Sequence, residues 1–192
     1  SDNPFRWRRP IAKWLNRFLE RRVMLAADAC VFTSAETVDL VARKYPPAWR
    51  RRTSILPHAY DPTLFQNSPA RRNDDVVIFR YIGNFYGHRS PRPLLMALQM
   101  LVREDPALLS GVQVDLVGGM PPRMLRNAAL KSLPEGLVRI VGTVPYDKSI
   151  RLMQTADVRL VIDAPATRSV FFPSKLADYI GAGRRLRGIV PE

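Results

Sequence analysis

The chain has 192 residues, 46% of them hydrophobic, with a single cysteine and two histidines. That is enough apolar material for one generous domain or two partial ones, and too few soft ligands for a disulfide framework or a cysteine–histidine metal cluster. The 30 Lys+Arg against 17 Asp+Glu leave a formal charge of +13, which favours anionic partners (nucleotides, nucleic acid, an acidic membrane surface) and selects none of them. There is no apolar run of about 18 residues and no charged-then-apolar leader, so a cytoplasmic protein without a spanning segment is expected.

Over residues 10–26 the apolar residues Ile11, Trp14, Leu15, Phe18, Leu19, Val23 and Ala26 recur at helical spacing, with Lys13, Arg17, Glu20 and Arg21 between them. This mixture suits core packing, and it also suits peripheral contact with the inner face of an anionic membrane. Residues 29–33 read as a short buried strand in which Cys30 is a small hydrophobe. Ser34 caps a helix to about residue 44, and residues 53–56 form a second strand. Pro57, Asp61-Pro62 and the polar stretch 66–75 then break the pattern. The expected division is residues 1–57, a linker at 58–75 and a second domain at 76–192.

The second domain alternates strands (76–82, 112–117, 138–144, 158–162, 186–190) with helices (90–103, 121–132, 146–155 and a last one opened by Pro173 and closed at Gly183). Its strands are continuously apolar rather than alternating, which indicates a parallel sheet covered on both faces, an α/β, Rossmann-like winding. Ligands of such sheets lie outside the carboxyl ends of the strands. Gly83, Gly118-Gly119, residues 143–145 and the Pro173 helix all converge there. Ala27-Asp28 and Ala156-Asp157 each precede a strand, and both aspartates read as turn carboxylates.

Two segments place a cation where a helix begins. In the run 83–91, Gly83 permits close backbone approach, Ser90 caps and Pro91 opens the next helix, and Arg89 stands just ahead of its positive pole. In the run 172–183, Ser174 and Lys175 lie in the first turn, where a cation is disfavoured by about 0.3–1 kcal/mol. Both placements make sense if a phosphate sits on the free backbone N–H groups. Asp178, three residues after Lys175 and four after Ser174, shares their face and suits ribose hydroxyls. The plain alternatives are a surface Lys175/Asp178 pair, a solvent-facing Arg89 and a purely conformational Gly83.

The order of motifs resembles the GT-B fold retaining glycosyltransferases (glycosyltransferase family 4-like). The matching pieces are residues 27–34, 55–61 with Phe65, 81–85, 114–118, 141–146, 156–158 and 172–183. The resemblance implies two facing Rossmann-like domains. Residues 1–57 would be the end of the acceptor domain, and 76–192 the nucleotide-sugar domain, truncated at its C-terminus. It implies that Lys175 and Arg89 neutralise the donor diphosphate, with Gly83, Asn84, Ser174 and nearby amides on its oxygens. Asp178 would hold the ribose, and the backbone around Val144 and Pro145 would meet the base. The implied partners are a nucleotide-sugar donor and a glycan or lipid-linked acceptor in bacterial glycan biosynthesis. Neither metal nor cofactor is expected, since cations and a helix terminus can stabilise the leaving diphosphate.

This chain has Asp178 where many relatives have Glu, Val170 where they have a second Glu eight positions earlier, and His58-Ala59 where Asn-Gly is common. Roughly half of a normal enzyme is covered, so no catalytic residue is assigned, and residues 1–192 alone are expected to be inactive and prone to association. Two other readings stand beside this one. A GT-B protein that is not a transferase, such as a nucleotide-sugar epimerase or binding module, shares the fold. A basic nucleic-acid-binding module would account for the charge, but the sequence carries no base-reading motif.

Overall fold

A computed structural model describes residues 10–66, 75–165 and 173–190. These divide into two units, one running to His58 and the other beginning at Ala59, one residue into the expected linker.

In the smaller unit, α1 (Pro10–Ala26) is followed by β1 (Cys30–Phe32), α2 (Ala35–Ala42), a 3-10 turn at Pro47–Arg52 and β2 (Thr53–Ile55). β1 and β2 pair in parallel. Ser34 caps α2 as expected, its hydroxyl accepting from the Thr37 N–H at 3.2 Å. Trp49 is buried, and its indole N–H donates to the Met24 carbonyl at 2.8 Å. Its ring meets Phe32 edge-on. Glu20 of α1 accepts from Lys44 and Tyr45. Trp14, Leu15, Phe18, Leu19 and Val23 of α1 are exposed. Among the described residues no helix is long and apolar enough to cross a membrane.

The larger unit holds β3 (Val77–Ile82), α3 (Arg92–Glu104), β4 (Val112–Val117), α4 (Pro122–Leu125), α5 (Ala128–Lys131), β5 (Val138–Gly142), α6 (Tyr146–Thr155), β6 (Val158–Ile162), α7 (Lys175–Gly181) and β7 (Arg185–Ile189). The five strands are parallel in the order β5-β4-β3-β6-β7. One buried cluster, with Tyr81, Phe85, Leu98, Val114, Leu116, Leu160 and Ile162, lies on one side of the sheet. A second, with Ile82, Val117, Ile150, Met153 and Tyr179, lies on the other. Continuous apolar strands are what two covered faces require. Residues 59–66 belong to this unit, with a 3-10 turn at Pro62–Phe65 whose Phe65 packs against the second cluster.

Several boundaries differ from expectation for local reasons. β5 stops at Gly142 rather than residue 144 because Gly142 takes φ +77°, outside strand geometry. The single helix expected at 121–132 is two, because the Asn127 carboxamide caps a fresh helix by accepting from the Ala129 N–H at 2.9 Å. α3 begins at Arg92, with Pro91 rather than Ser90 at the cap position. α7 begins at Lys175 with Ser174 at its cap, so Pro173 precedes the helix instead of opening it.

Candidate functional site

In a parallel sheet each helix following a strand begins at the carboxyl end, so the starts of α3, α6 and α7 and the loop after β4 share one edge of this unit. On the β4 side of β3 that edge is tightly stitched. The Gly83 N–H donates to the Val117 carbonyl at 2.8 Å, and the Phe85 N–H to the Gly119 carbonyl at 2.9 Å. The Asn84 side-chain oxygen accepts from the Gly119 N–H at 2.7 Å. Gly118 lies so close that any Cβ there would collide with the Gly83 carbonyl, and its φ of +125° excludes other residues independently. Asn84 is thus partly occupied in shaping the loop.

Arg89 is held within the chain. Its guanidinium is 3.0 Å from the Asp163 carboxylate at the end of β6 and 5.1 Å from the centre of the Tyr86 ring. It also donates to the Tyr86 hydroxyl at 3.3 Å. Burial disfavours its charge, but the Asp163 hydrogen bond and the tyrosines outweigh that and push its pKa up. Its buried Nε has no hydrogen-bond partner. Sequence reasoning found Arg89 and missed Asp163, 74 residues away. The available signal was a carboxylate directly after a strand on the same edge.

Lys175 opens α7 half-buried, and among the described residues no hydrogen bond or ion pair to it appears. Burial pushes its pKa down, an effect only partly offset by the charge of Asp178. Burial likewise pushes the Asp178 carboxyl up, against Lys175 and the Tyr146 hydroxyl. Both groups lean toward neutrality, so their mutual attraction is weaker than the desolvation each suffers. Ser174 is exposed and makes no side-chain cap hydrogen bond.

Asp178 lies near Tyr146 at the start of α6, with Asp61 also close; burial, Asp178 and Asp61 together raise the tyrosine's pKa. Val144 packs against the second core cluster, and Pro145 occupies the cap position of α6. The fold therefore brings Asp178 next to the Val144-Pro145 loop. The sequence offers Tyr146 as the first residue of a helix and the end of a motif, and Tyr179 only within the 172–183 run. Among the described residues no group of three His, Cys, Asp or Glu side chains could hold a metal ion.

No family model matches the chain. Over 155 residues it is 28% identical to the D-inositol 3-phosphate glycosyltransferase of Geodermatophilus obscurus, covering 74% of this chain and 34% of that relative. It superposes on HepE of Anabaena, solved with UDP and glucose, at a TM-score of 0.61 and 16% identity over 90% of this chain and 47% of that one. It superposes on the pneumococcal O-GlcNAc transferase GtfA, solved with UDP and GlcNAc, at 0.64 and 16% over 92% and 33%. The chain spans about a third to a half of the length of these proteins. Its fold is that of the GT-B glycosyltransferases, of which the chain covers a part.

Proposed function

We propose that the chain carries the donor-nucleotide site of a glycosyltransferase that moves a sugar from a nucleoside-diphosphate donor to a glycan, lipid-linked or small-molecule acceptor. The observation that carries this reading is Lys175, a half-buried ammonium with no hydrogen-bonding or ionic partner among the described residues, at the start of a helix on the ligand-binding edge of a parallel sheet. A cation held there at a cost in stability is a receptor for an anion that arrives later. Two relatives of the same fold were solved with UDP, which supports a nucleoside diphosphate as that anion.

In this reading Lys175 and Arg89 lie against the diphosphate. The Gly83 and Asn84 backbone and Ser174 complete its surroundings. Asp178 accepts from the ribose hydroxyls, and the Val144-Pro145 loop lines the base. As the sugar–phosphate bond breaks and the acceptor oxygen bonds to the sugar, negative charge grows on the leaving diphosphate, and fixed cations stabilise it most at that moment. The role otherwise filled by a divalent metal is assigned to Lys175 and Arg89. Peripheral contact with an anionic membrane belongs to α1, whose exposed Trp14 and Phe18 stack beside Lys13, Arg17 and Arg21.

The test is calorimetric titration of the natural-length protein with UDP, GDP and ADP and with the corresponding nucleosides. Lys175→Met keeps the aliphatic stem and should weaken the best diphosphate by about 1.5–3 kcal/mol, the usual worth of a hydrogen bond to a charged group, while leaving the nucleoside unchanged. Asp178→Asn should weaken both. Diphosphate affinity unchanged in Lys175→Met would refute the reading. Sugar transfer from the bound donor, rather than epimerisation or binding alone, completes the assignment.

A further inference from the structure

Strands β3 and β6 part company early. β3 stays paired with β4 through Ile82 and Val117, and β6 with β7 through Ile162 and Ile189, but the β3–β6 ladder ends at Tyr81 and Leu160. Ile82 is buried, so its backbone facing β6 must find partners elsewhere. It finds them in one side chain. The Tyr179 hydroxyl accepts from the Ile82 N–H at 2.8 Å and lies 3.3 Å from the Ile82 carbonyl, to which it donates. A phenol hydroxyl has one proton and two lone pairs, so it can serve both groups at once.

The location gives this bond its meaning. β3 is the first strand of the sheet in chain order, with β4 and β5 on one flank and β6 and β7 on the other, so the β3–β6 gap is where the strand order reverses and where α/β sheets take ligands. Tyr179 directly follows Asp178 and lies four residues after Lys175; Ile82 directly precedes Gly83. We propose that Tyr179 is a positioning residue of the donor site, whose hydroxyl sets the width of the β3–β6 crevice and fixes α7, with Lys175 and Asp178, against the Gly83 loop. This rests on the donor-site reading above.

The ring is held independently of the hydroxyl. Tyr179 is 2% exposed within the second core cluster. The guanidinium of Arg159, buried with none of its three nitrogens hydrogen-bonded, stands 6.0 Å from the ring centre. Tyr179→Phe therefore removes the staple while leaving the packing and the Arg159 contact in place.

The experiment compares parent, Lys175→Met, Tyr179→Phe and Ile78→Val in the natural-length protein. Ile78→Val is a core truncation at the far end of β3 that controls for lost stability. Thermal melts are recorded alongside titration with whichever of UDP, GDP and ADP binds the parent best. Tyr179→Phe should raise the dissociation constant on the order of tenfold, a change that corresponds to one net hydrogen bond. Ile78→Val should lower the melting temperature and leave the constant unchanged. Combined with Asp178→Asn, Tyr179→Phe should add less than it does alone, because both act through α7. If the parent binds, Lys175→Met weakens binding and Tyr179→Phe behaves like Ile78→Val, the positioning role is overturned and the donor site stands. If no nucleotide binds the parent, both fall. Should Tyr179→Phe fail to fold, amide exchange in the parent decides: nucleotide must slow exchange at Ile82, and unchanged exchange overturns the proposal.

Discussion

Arg80 of β3 and Arg159 of β6 stand side by side in register, and both are buried, yet their surroundings are opposite. Arg80 donates through Nε to the Asp115 carboxylate at 2.8 Å and through Nη1 to the Leu152 carbonyl and the Thr155 hydroxyl. Arg139 binds the same carboxylate from the rim. Burial alone would raise the pKa of Asp115, but the hydrogen bonds from Arg139 and Arg80 outweigh it and hold the group low. Arg159 has no such partner, and burial pulls its pKa down to about 10. The β4 flank of β3 is thus electrostatically closed, whereas on the β6 flank Arg159 stays without a carboxylate to bind it. A flank whose polar groups are all satisfied resists ligands; one that keeps unpaired charge is organised around something still to arrive.

Removing the carboxylate on the closed flank should have the largest effect. Asp115→Ala leaves Arg80 buried without its anion and should lower stability by about 3–5 kcal/mol in chemical denaturation, while nucleotide affinity of the folded fraction stays unchanged. A loss under 1 kcal/mol would mean that the two flanks do not differ as described. Next in size, and opposite in sign, is Arg159→Met. Removing a buried cation without a hydrogen-bonded anion should leave the protein as stable or stabilise it by about 1 kcal/mol or more, and clear destabilisation would show that its contact with the Tyr179 ring outweighs the cost of burying the charge. The smallest effect is a pH dependence. Asp178 has a raised carboxyl pKa in the fold, so its contribution to stability is present at low pH and lost as pH rises through that value. Ligand-free Asp178→Asn should therefore melt above the parent at neutral pH, and the gap should close on acidification. Asp115, with a lowered pKa, contributes in the reverse sense, losing stability as pH falls. Identical acid profiles for parent and Asp178→Asn would contradict this pairing of signs.

Features written in neighbouring residues were legible before the fold was known. The apolar runs of β3, β4 and β6, the Ser34 cap and the α6 boundaries need only local pattern and stereochemistry. Lys175 and Asp178 were legible as a pair because helical spacing puts them on one face. What escaped was set by distant partners. Asp157 reads as a turn carboxylate, but its side chain accepts from the Ile78 N–H at 2.9 Å, and its own N–H donates to the Ile78 carbonyl at 3.0 Å, pinning the start of β6 to β3. The Arg89–Asp163 pair and the Tyr179 staple likewise join residues that no local period relates. The shortening of β5 turned on the backbone angle of a single glycine, which the apolar run through Val144 concealed.

The central place of β3 also bears on how the sheet is assembled. Arg80 and Asp115 close a segment of 35 residues, Ile78 and Asp157 one of 79, and Ile82 and Tyr179 one of 97. Closing a longer loop loses more chain entropy, and a chain emerging from the ribosome offers β4 to β3 well before α7 exists. The right-handed crossover unit β3–α3–β4 can therefore be in place while the opposite flank is still unmade, so the crevice is completed by the most distant of these contacts. A nucleotide arriving at that crevice would act as a late folding partner, favouring the chains in which assembly has reached its end.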